Sequence, residues 1–430
     1  MSTDPTASTS RRNYASLLRD REYAGLLLTT IVSVVGDQLA RVALVVLVYE
    51  RTSSPFLSSA TYAATFLPVV IGAPLLGGFA DRLPRRQVVI VADVVRAGLF
   101  VLMALPGMPL WVLLVLLVVA VTVEAPWNAA RGALMRDVLV DDEGYQLGTA
   151  LEETLYQAGQ IIGFALSGAL LVAVSASTAL LLDAASFLIS AGIVRAVVRY
   201  RPAADVATTE EASNSTPSSR LRPSRTGRLR RAGSDARLGL RVALAPGPRR
   251  PLLLTWAGIS LAIAPEALAV AWVAQMHSGP FGVGLMFAAS PAGNVLGMLL
   301  VGRAPVERGQ RLLLPLAVLT MVPLLLAPVA LRLPWALALV FVSGLGGAYS
   351  MLARVAFVRA VDNAQRGRAF AIAAAGVTAG QGVGIALVGA LASLTTPAAA
   401  VAAAGGLGLL LIGWVVATSP SSPPGSLSDP

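Results

Sequence analysis

Apolar runs of about 20 residues recur from end to end of the 430-residue sequence. A run of that length crosses the hydrocarbon core of a bilayer as one helix, and a water-soluble core does not need it. The runs predict an all-α membrane protein with twelve transmembrane helices. In the first half they cover residues 24–49, 56–79, 88–108, 110–130, 146–171 and 176–199; in the second half they cover 252–275, 281–302, 312–331, 335–358, 369–393 and 397–418.

Polar stretches and an internal duplication divide the chain into two halves. The predicted parts are an N-terminal segment (1–23), a first bundle (24–199), a disordered linker rich in Ser, Pro and Arg (200–251), a second bundle (252–418) and a tail (419–430). The sequences GQIIGFALSGAL at 159–170 and GQGVGIALVGAL at 380–391 match at eight of twelve positions. This repeat predicts two homologous bundles of six helices each.

The composition excludes most enzyme chemistry. The sequence has no cysteine, a single histidine, and no lysine among its 33 basic residues. Disulfides, cysteine nucleophiles, histidine metal clusters, Schiff bases and the lysine of a phosphate-binding loop are therefore excluded. We expect no metal, no cofactor and no enzymatic activity.

Arginine placement predicts the orientation in the membrane. Cytoplasmic segments of membrane proteins carry an excess of basic residues. Arginines are dense before the first predicted helix, around 82–86, throughout the linker and in the matching turns of the second half, whereas the loops on the other side hold Arg51 and Arg332. The pattern predicts a plasma (inner) membrane protein with both termini in the cytoplasm. It also explains the net charge of +10 without a nucleic-acid partner.

The turn between the second and third predicted helices concentrates charge in a short segment. It reads GGFADRLPRR from Gly77 to Arg86. The spacing Gly-x-x-x-Asp-Arg-x-x-Arg-Arg resembles the signature loop of major facilitator superfamily transporters, with Pro84 where the family usually has glycine. The resemblance implies two pseudo-symmetric six-helix bundles around a central substrate cavity, a monomer, and a conformational latch. The latch residues would be Gly77, Asp81, Arg82, Arg85 and Arg86; the alternative is charge that only sets the topology.

Ionisable side chains inside apolar helices are costly, and by default they serve function or pair with each other. Asp37 and Arg41 share one face of the first predicted helix because they lie four residues apart. Asp37 therefore either faces the cavity or forms a closed ion pair with Arg41. The SVVGD segment that ends at Asp37 is similar to the first helix of macrolide-efflux and siderophore (enterobactin-type) exporters, and the APWNAAR segment after Glu124 is similar to their fourth helix.

Three acids are candidate proton carriers. They are Asp37; Glu124, which has apolar neighbours; and Glu266, which follows Pro265 in the seventh predicted helix. The alternatives are neutral, hydrogen-bonded structural acids and, for Glu266, a simple helix break at the proline. The candidate substrate-cavity residues are Asp37, Gln38, Arg41, Asn128, Gln157, Gln160, Asn294 and Gln381.

Other polar and small residues inside the helices have a structural interpretation. Asp93 and Arg96, three residues apart, are predicted to form a structural pair, and Asp183 a structural polar contact. The small-xxx-small spacing typical of closely packed helices is found in the pairs Gly159/Gly163 and Gly380/Gly384.

The resemblance implies a secondary active transporter that moves a small molecule across the bilayer by alternating access. Together with the acids inside the helices, it predicts proton-coupled efflux of a drug-like or siderophore-like molecule. One alternative is import of a small metabolite by the same fold. A second is a membrane receptor or lipid scramblase that uses the fold without transporting a solute.

Overall fold

A computed structural model describes residues 14–66, 68, 83–201, 237–303 and 305–419, and these residues form helices and no β-strand. The first half contains α1 (Tyr14–Arg19), α2 (Arg21–Thr52), α3 (Pro55–Ala63), α4 (Arg85–Met103), α5 (Leu110–Val138), α6 (Asp142–Ala173) and α7 (Ala176–Val197). The second half contains α8 (237–243), α9 (Pro246–Ala262), α10 (Ala264–Ala267), α11 (Ala269–Gln275), α12 (Pro280–Gly302), α13 (Val306–Leu325), α14 (Leu333–Gly346), α15 (Tyr349–Arg359), α16 (Arg366–Leu394) and α17 (Pro397–Thr418). The predicted all-α fold class is confirmed.

Eight helices in these ranges are long and apolar enough to cross a membrane, and the bent pair Pro246–Ala267 and Ala269–Gln275 makes a ninth. Each of the twelve predicted spans contains helical residues, but the span at 56–79 leaves the described residues soon after α3. The predicted total of twelve is therefore compatible with the described helices.

Local sequence signals explain where the first helices begin and end. The Asp20 carboxylate accepts hydrogen bonds from the backbone N–H groups of Glu22 (2.8 Å) and Tyr23 (3.3 Å) and so caps α2. At the other end of α2, Ser53 adopts a left-handed conformation with φ of 51°. The chain then turns, and α3 starts at Pro55, a residue suited to the first helical position.

Helix packing follows the internal duplication. In the first bundle, α2 packs on α6 and α7, and α4 packs on α5 and α7. In the second bundle, α9 packs on α16 and α17, and α12 and α13 pack on α14. The bundles meet through α6 on α12 and α16 on α3. Since α6 and α16 carry the repeated sequence, each half offers its copy of that helix to the other half.

The predicted glycine pairs lie where helices approach closely. A Cβ on Gly159 would lie 3.2 Å from Val34, and one on Gly163 would lie 3.2 Å from the backbone of Val35 in α2. In the second half, Gly380 and Gly384 both lie against Ser260 of α9. The two copies of the repeat therefore pack on the first helix of their own bundle in the same way.

The two bundles touch at the end of the molecule marked by Ser59, Gly168, Gly284 and Gly389, which we call the junction end. Gly168 of α6 and Gly284 of α12 are so close that a Cβ on Gly168 would lie 2.7 Å from the Cα of Gly284. Ser59 of α3 contacts Gly389 of α16. Because a side chain has no room at these contacts, glycine is what allows the bundles to close here.

Ion pairs between helix ends mark the opposite end, which we call the arginine-rich end. They are Arg85–Asp137, Arg136–Asp142, Glu22–Arg199 and Glu22–Arg201. Each of them joins elements of the first half. None of these four pairs therefore joins the two bundles.

Part of the predicted latch belongs to this network. Arg85 pairs with Asp137 of α5, and Arg86 donates hydrogen bonds to the carbonyl oxygens of Val194 (3.5 Å) and Arg195 at the C-terminal end of α7. A cation is favourable there because the last carbonyl groups of a helix carry partial negative charge. The two arginines fasten α4 to its neighbours. The latch residues Gly77, Asp81 and Arg82, and linker residues 202–236, lie outside the described residues.

The predicted linker is too long at its C-terminal end. It was expected to run to 251, but residues 237–243 are helical and α9 begins at Pro246. Ala243 is fully buried in an apolar cluster with Phe357 of α15. A few apolar residues among the arginines are enough to dock this segment on the second bundle, and the average composition of the linker hides them.

Replacing Gly168 by valine is expected to separate the bundles at the junction end, because the new side chain overlaps the backbone of Gly284. The chain has no native cysteine, so spin labels attached through Val172→Cys and Gly279→Cys report this distance directly. We expect a longer label distance in Gly168→Val. Gly98→Val is the matched control, because nothing lies within 4 Å of its Cβ position; equal distances in the two variants would contradict the assignment of this contact.

Candidate functional site

Two adjoining cavities lie in the first bundle and between the bundles. The first-bundle cavity has a volume of about 470 Å³, and its walls run from Thr65 to Gly132 and Thr149 near the arginine-rich end. Gly132 is exposed. The inter-bundle cavity has a volume of about 360 Å³ and walls from both bundles. Arg41 and Tyr156 line both cavities. The two cavities therefore adjoin each other at these two side chains.

The structure places every candidate cavity residue and every candidate proton carrier on a cavity wall. The first-bundle cavity is lined by Asp37, Gln38, Arg41, Glu124 and Asn128. The inter-bundle cavity is lined by Arg41, Gln157, Gln160, Glu266, Asn294 and Gln381. Helical spacing accounts for much of this, since residues three, four and seven apart on α6 share one face.

The ion-pair partner of Asp37 is Arg96 of α4. Arg96 Nη2 donates to Asp37 Oδ1 at 2.7 Å, and the Arg96 guanidinium also stacks on Phe187 at 4.1 Å from the ring centroid. The Asp37 side chain is 24% exposed and that of Arg96 is 5% exposed. A closed pair between Asp37 and Arg41 is therefore wrong. Both α2 and α4 pack on α7, which brings Arg96 opposite Asp37, and Arg41 lies near the ring of Phe66 instead.

Two further acids, Asp93 and Asp183, are fully buried behind this pair. Asp93 accepts a hydrogen bond from Ser190 of α7 at 2.7 Å, and Asp183 accepts one from Ser186 at 3.0 Å. The predicted pair of Asp93 with Arg96 is wrong, because Arg96 extends towards α2 while Asp93 faces α7. Asp183 does make a local polar contact, through Ser186.

A second buried arginine was not expected. The fourth predicted helix ends at residue 130, but α5 continues beyond it and Arg131 is only 6% exposed. Its guanidinium donates to Glu152 (2.7 Å), to Thr29 (2.9 Å) and to the carbonyl oxygen of Leu26 (2.8 Å), and it lies 5.1 Å from the ring of Trp127. The spacing of Trp127 and Arg131, one helical turn apart, was the available signal. This network joins α2, α5 and α6.

Glu266 links the two bundles. Its carboxylate accepts a hydrogen bond from the Tyr62 hydroxyl of α3 at 3.0 Å, in the wall of the inter-bundle cavity. Glu266 lies in the short α10, between a helix break at Ile263 and a 47° bend of the seventh predicted span at Leu268. Proline lacks a backbone N–H, which accounts for a break beside Pro265. The predicted helix break and the cavity position therefore occur together.

Glu124 and Glu153 are bonded to amides rather than to arginines. Asn128 donates to Glu124 at 3.4 Å, and Gln157 donates to Glu153 at 3.3 Å. Neither acid has an ion-pair partner among the described residues. The acids do not assemble into a metal site either: within the described ranges no group of three acid, histidine or cysteine residues is placed to hold a metal ion.

Comparison with known sequences points to one family. A sequence model of the family described as Major Facilitator Superfamily matches residues 26–273. The uncharacterized MFS-type transporter YvqJ of Bacillus subtilis (strain 168) is 25% identical over 294 residues, which cover 67% of this chain and 66% of YvqJ. A second such transporter from the same strain, YfiS, is 28% identical over 170 residues, which cover 39% of this chain and 40% of YfiS.

Solved structures share the fold at low sequence identity. A mutant of the nucleoside transporter NupG has a TM-score of 0.70 at 14% identity, over 92% of this chain and 99% of that one. The peptide transporter POT in complex with sulfate has a TM-score of 0.68 at 15% identity, over 95% of this chain and 96% of that one. At these identities the likeness concerns the fold alone.

Removing the cation of the Asp37–Arg96 pair is expected to destabilise the protein strongly. Breaking a buried ion pair costs about 3–5 kcal/mol, because the remaining charge is left without a partner. We expect Arg96→Gln to lower the free energy of unfolding in micelles by about 3 kcal/mol, and a second change, Asp37→Asn, to restore part of the loss. Arg136→Gln is the control. Its pair with Asp142 is exposed, so the change should stay within about 1 kcal/mol; an equal loss in the two single variants would contradict the assignment.

Proposed function

The chain belongs to the major facilitator superfamily, and on that premise we propose that it is a proton-coupled exporter of a drug-like or siderophore-like small molecule. It is a multi-pass membrane protein by its apolar helices and its family. The observation that carries the proposal is the hydrogen bond between Tyr62 of one bundle and Glu266 of the other. Because this hydrogen bond joins the two bundles, protonation of Glu266 would change the contact between them.

The acids on the cavity walls differ in whether their hydrogen-bond partners are neutral or positively charged, and this decides what happens when they take up a proton. Glu124 and Glu266 are bonded to neutral groups, Asn128 and Tyr62. Each can accept a proton without leaving a buried cation unpaired. Asp37 can accept one only if Arg96 loses its counter-charge. Glu124 and Glu266 are therefore the direct carriers in the proposal, and Asp37 is the acid whose protonation disturbs the first bundle.

The closed junction end supports alternating access. The contacts of Gly168 with Gly284 and of Ser59 with Gly389 have to open before the cavities can reach that side. The first-bundle cavity already reaches the arginine-rich end, at Gly132. If that end faces the cytoplasm, as the arginines predict, this conformation is the one in which an exporter takes up its cargo.

The cavity walls suit an amphipathic cargo with aromatic parts. Their volumes of about 470 and 360 Å³ lie in the range of small-molecule sites. The inter-bundle cavity offers amides for hydrogen bonding and rings for stacking: Gln157, Gln160, Asn294 and Gln381, with Tyr62, Phe66, Tyr156 and Phe164. Both cavities are built from one chain, so the proposal needs only a monomer.

The driving force for export would be the proton gradient. A proton that moves inward through the membrane potential supplies about 2.3 kcal/mol for each 100 mV. The direction of transport is assigned from the similarity of the SVVGD and APWNAAR segments to exporters. Measuring accumulation against loss of a labelled compound in whole cells separates export from the import alternative.

Neutralising the three acids on the cavity walls is expected to abolish proton coupling. Export substrates are first found by testing drugs and siderophores for altered toxicity or retention in an efflux-deficient strain that expresses the chain. Proteoliposomes with an internal pH dye then report proton movement when such a compound is added. We expect the signal to be lost in the triple variant Asp37→Asn, Glu124→Gln and Glu266→Gln.

The matched control removes three acids that line neither cavity: Glu50→Gln, Asp142→Asn and Glu143→Gln. It should keep the proton signal. Substrate-driven proton movement that is unchanged in the carrier variant would refute proton coupling through these acids. If the wild type exchanges labelled substrate across the membrane but moves no protons, the protein is a transporter that is not coupled to protons.

A further inference from the structure

Four ionisable side chains form one buried cluster in the first bundle: Asp37 of α2, Asp93 and Arg96 of α4, and Asp183 of α7. Arg96 is bonded to Asp37 at 2.7 Å. Asp183 touches Gly36, the residue next to Asp37, whose missing side chain leaves room for the carboxyl group. Arg96 is thus bonded to one carboxyl group, and it also interacts electrostatically with the carboxyl groups of Asp93 and Asp183.

The cluster has a wet side and a sealed side. Asp37 lines the first-bundle cavity, and its side chain is 24% exposed. Asp93 and Asp183 have no exposed surface and line neither cavity. Within the described ranges, Asp93 Oδ1, Asp183 Oδ2 and Arg96 Nε have no hydrogen-bond partner. The sealed acids therefore have fewer hydrogen bonds than two buried carboxylates need.

The charges of the cluster balance only if it holds protons. An arginine side chain keeps its positive charge in proteins. Three ionised carboxylates with one guanidinium would leave two negative charges on fully buried side chains, which is prohibitively costly. The remaining ionisable groups that face the cluster, Arg41 of α2 and Glu124 of α5, line the first-bundle cavity, and because their charges are opposite when both are ionised, they leave this count unchanged.

We propose that Asp93 and Asp183 are proton-storage sites, and that Arg96 is a shared counter-ion which changes partner between Asp37 and these acids. In the conformation described, Asp37 is the ionised member and the two sealed acids carry protons. When one sealed acid passes its proton to Asp37 at the cavity wall, that acid becomes the new partner of Arg96. The proton stays within the cluster, so the cluster keeps one negative charge opposite one positive charge.

This inference extends the proposed proton coupling, but it can be tested without a substrate. Infrared spectroscopy of the purified protein in lipid nanodiscs distinguishes the C=O absorption of a protonated carboxyl group from that of a carboxylate. At neutral pH, Asp93→Asn and Asp183→Asn should each remove the absorption of one protonated carboxyl group. Asp142→Asn, which alters an exposed acid, should remove none.

The two members of the ion pair give opposite and less obvious results. Asp37→Asn should also remove one protonated carboxyl group, although Asp37 itself is ionised, because a sealed acid must ionise to balance Arg96. Arg96→Gln should add one, because no cation remains to balance a carboxylate. If Asp93 and Asp183 were structural acids whose protonation does not change, Asp37→Asn would leave the absorption of protonated carboxyl groups unchanged.

The proposal is overturned if Asp93→Asn and Asp183→Asn both leave the protonated carboxyl absorption unchanged, since both acids would then be ionised. If one variant does not fold, the other variant and the wild-type spectrum still test the proposal. The wild type must show two protonated carboxyl groups that exchange slowly after transfer to D₂O. Failure of substrate-driven proton movement with this spectrum intact would count against export and not against proton storage.

Discussion

A guanidinium that keeps its proton needs a counter-charge wherever the bilayer excludes water, and the first bundle is built around this constraint. Arg96 binds Asp37 across the helices and stacks on Phe187. Arg131 also joins helices of the first bundle, nearer the arginine-rich end, and its counter-charge is Glu152. Arg96 joins α4 to α2, and Arg131 joins α5 to α2 and α6. The charged network therefore links the helices of the first bundle and lines its cavity.

The two bundles contribute unequally to this chemistry. Although they are duplicates, the second half has only Glu266 as an acid inside a predicted span, and its partner Tyr62 belongs to the first half. Glycine contacts at the junction end bring the bundles together without any charge. In the proposed mechanism, protonation of Glu266 weakens its hydrogen bond to Tyr62 and with it the contact between the bundles. Most of the ionisable side chains inside the predicted spans belong to the first bundle.

The sequence predicts the parts of this arrangement that depend on hydropathy and helical period. Membrane spans follow from the apolar runs, and cavity-facing residues follow from the cost of polar groups in hydrocarbon. It does not predict partners between helices, because these depend on helix rotation and tertiary packing. Spacing offered Arg41 as the alternative partner of Asp37, yet α4 supplies Arg96. Arg131 looked like a loop residue because it lies just after an apolar run, although α5 continues past it.

The central claim is that protons on Asp37, Glu124 and Glu266 control how the bundles meet. The most direct measurement is the distance between spin labels at the arginine-rich end, attached through Val140→Cys and Arg359→Cys in nanodiscs, as the pH is lowered. The account predicts that a shorter distance becomes populated at acidic pH, as this end closes, and that the triple variant Asp37→Asn, Glu124→Gln, Glu266→Gln loses the pH dependence. The same pH response in the triple variant and the unaltered protein would contradict it.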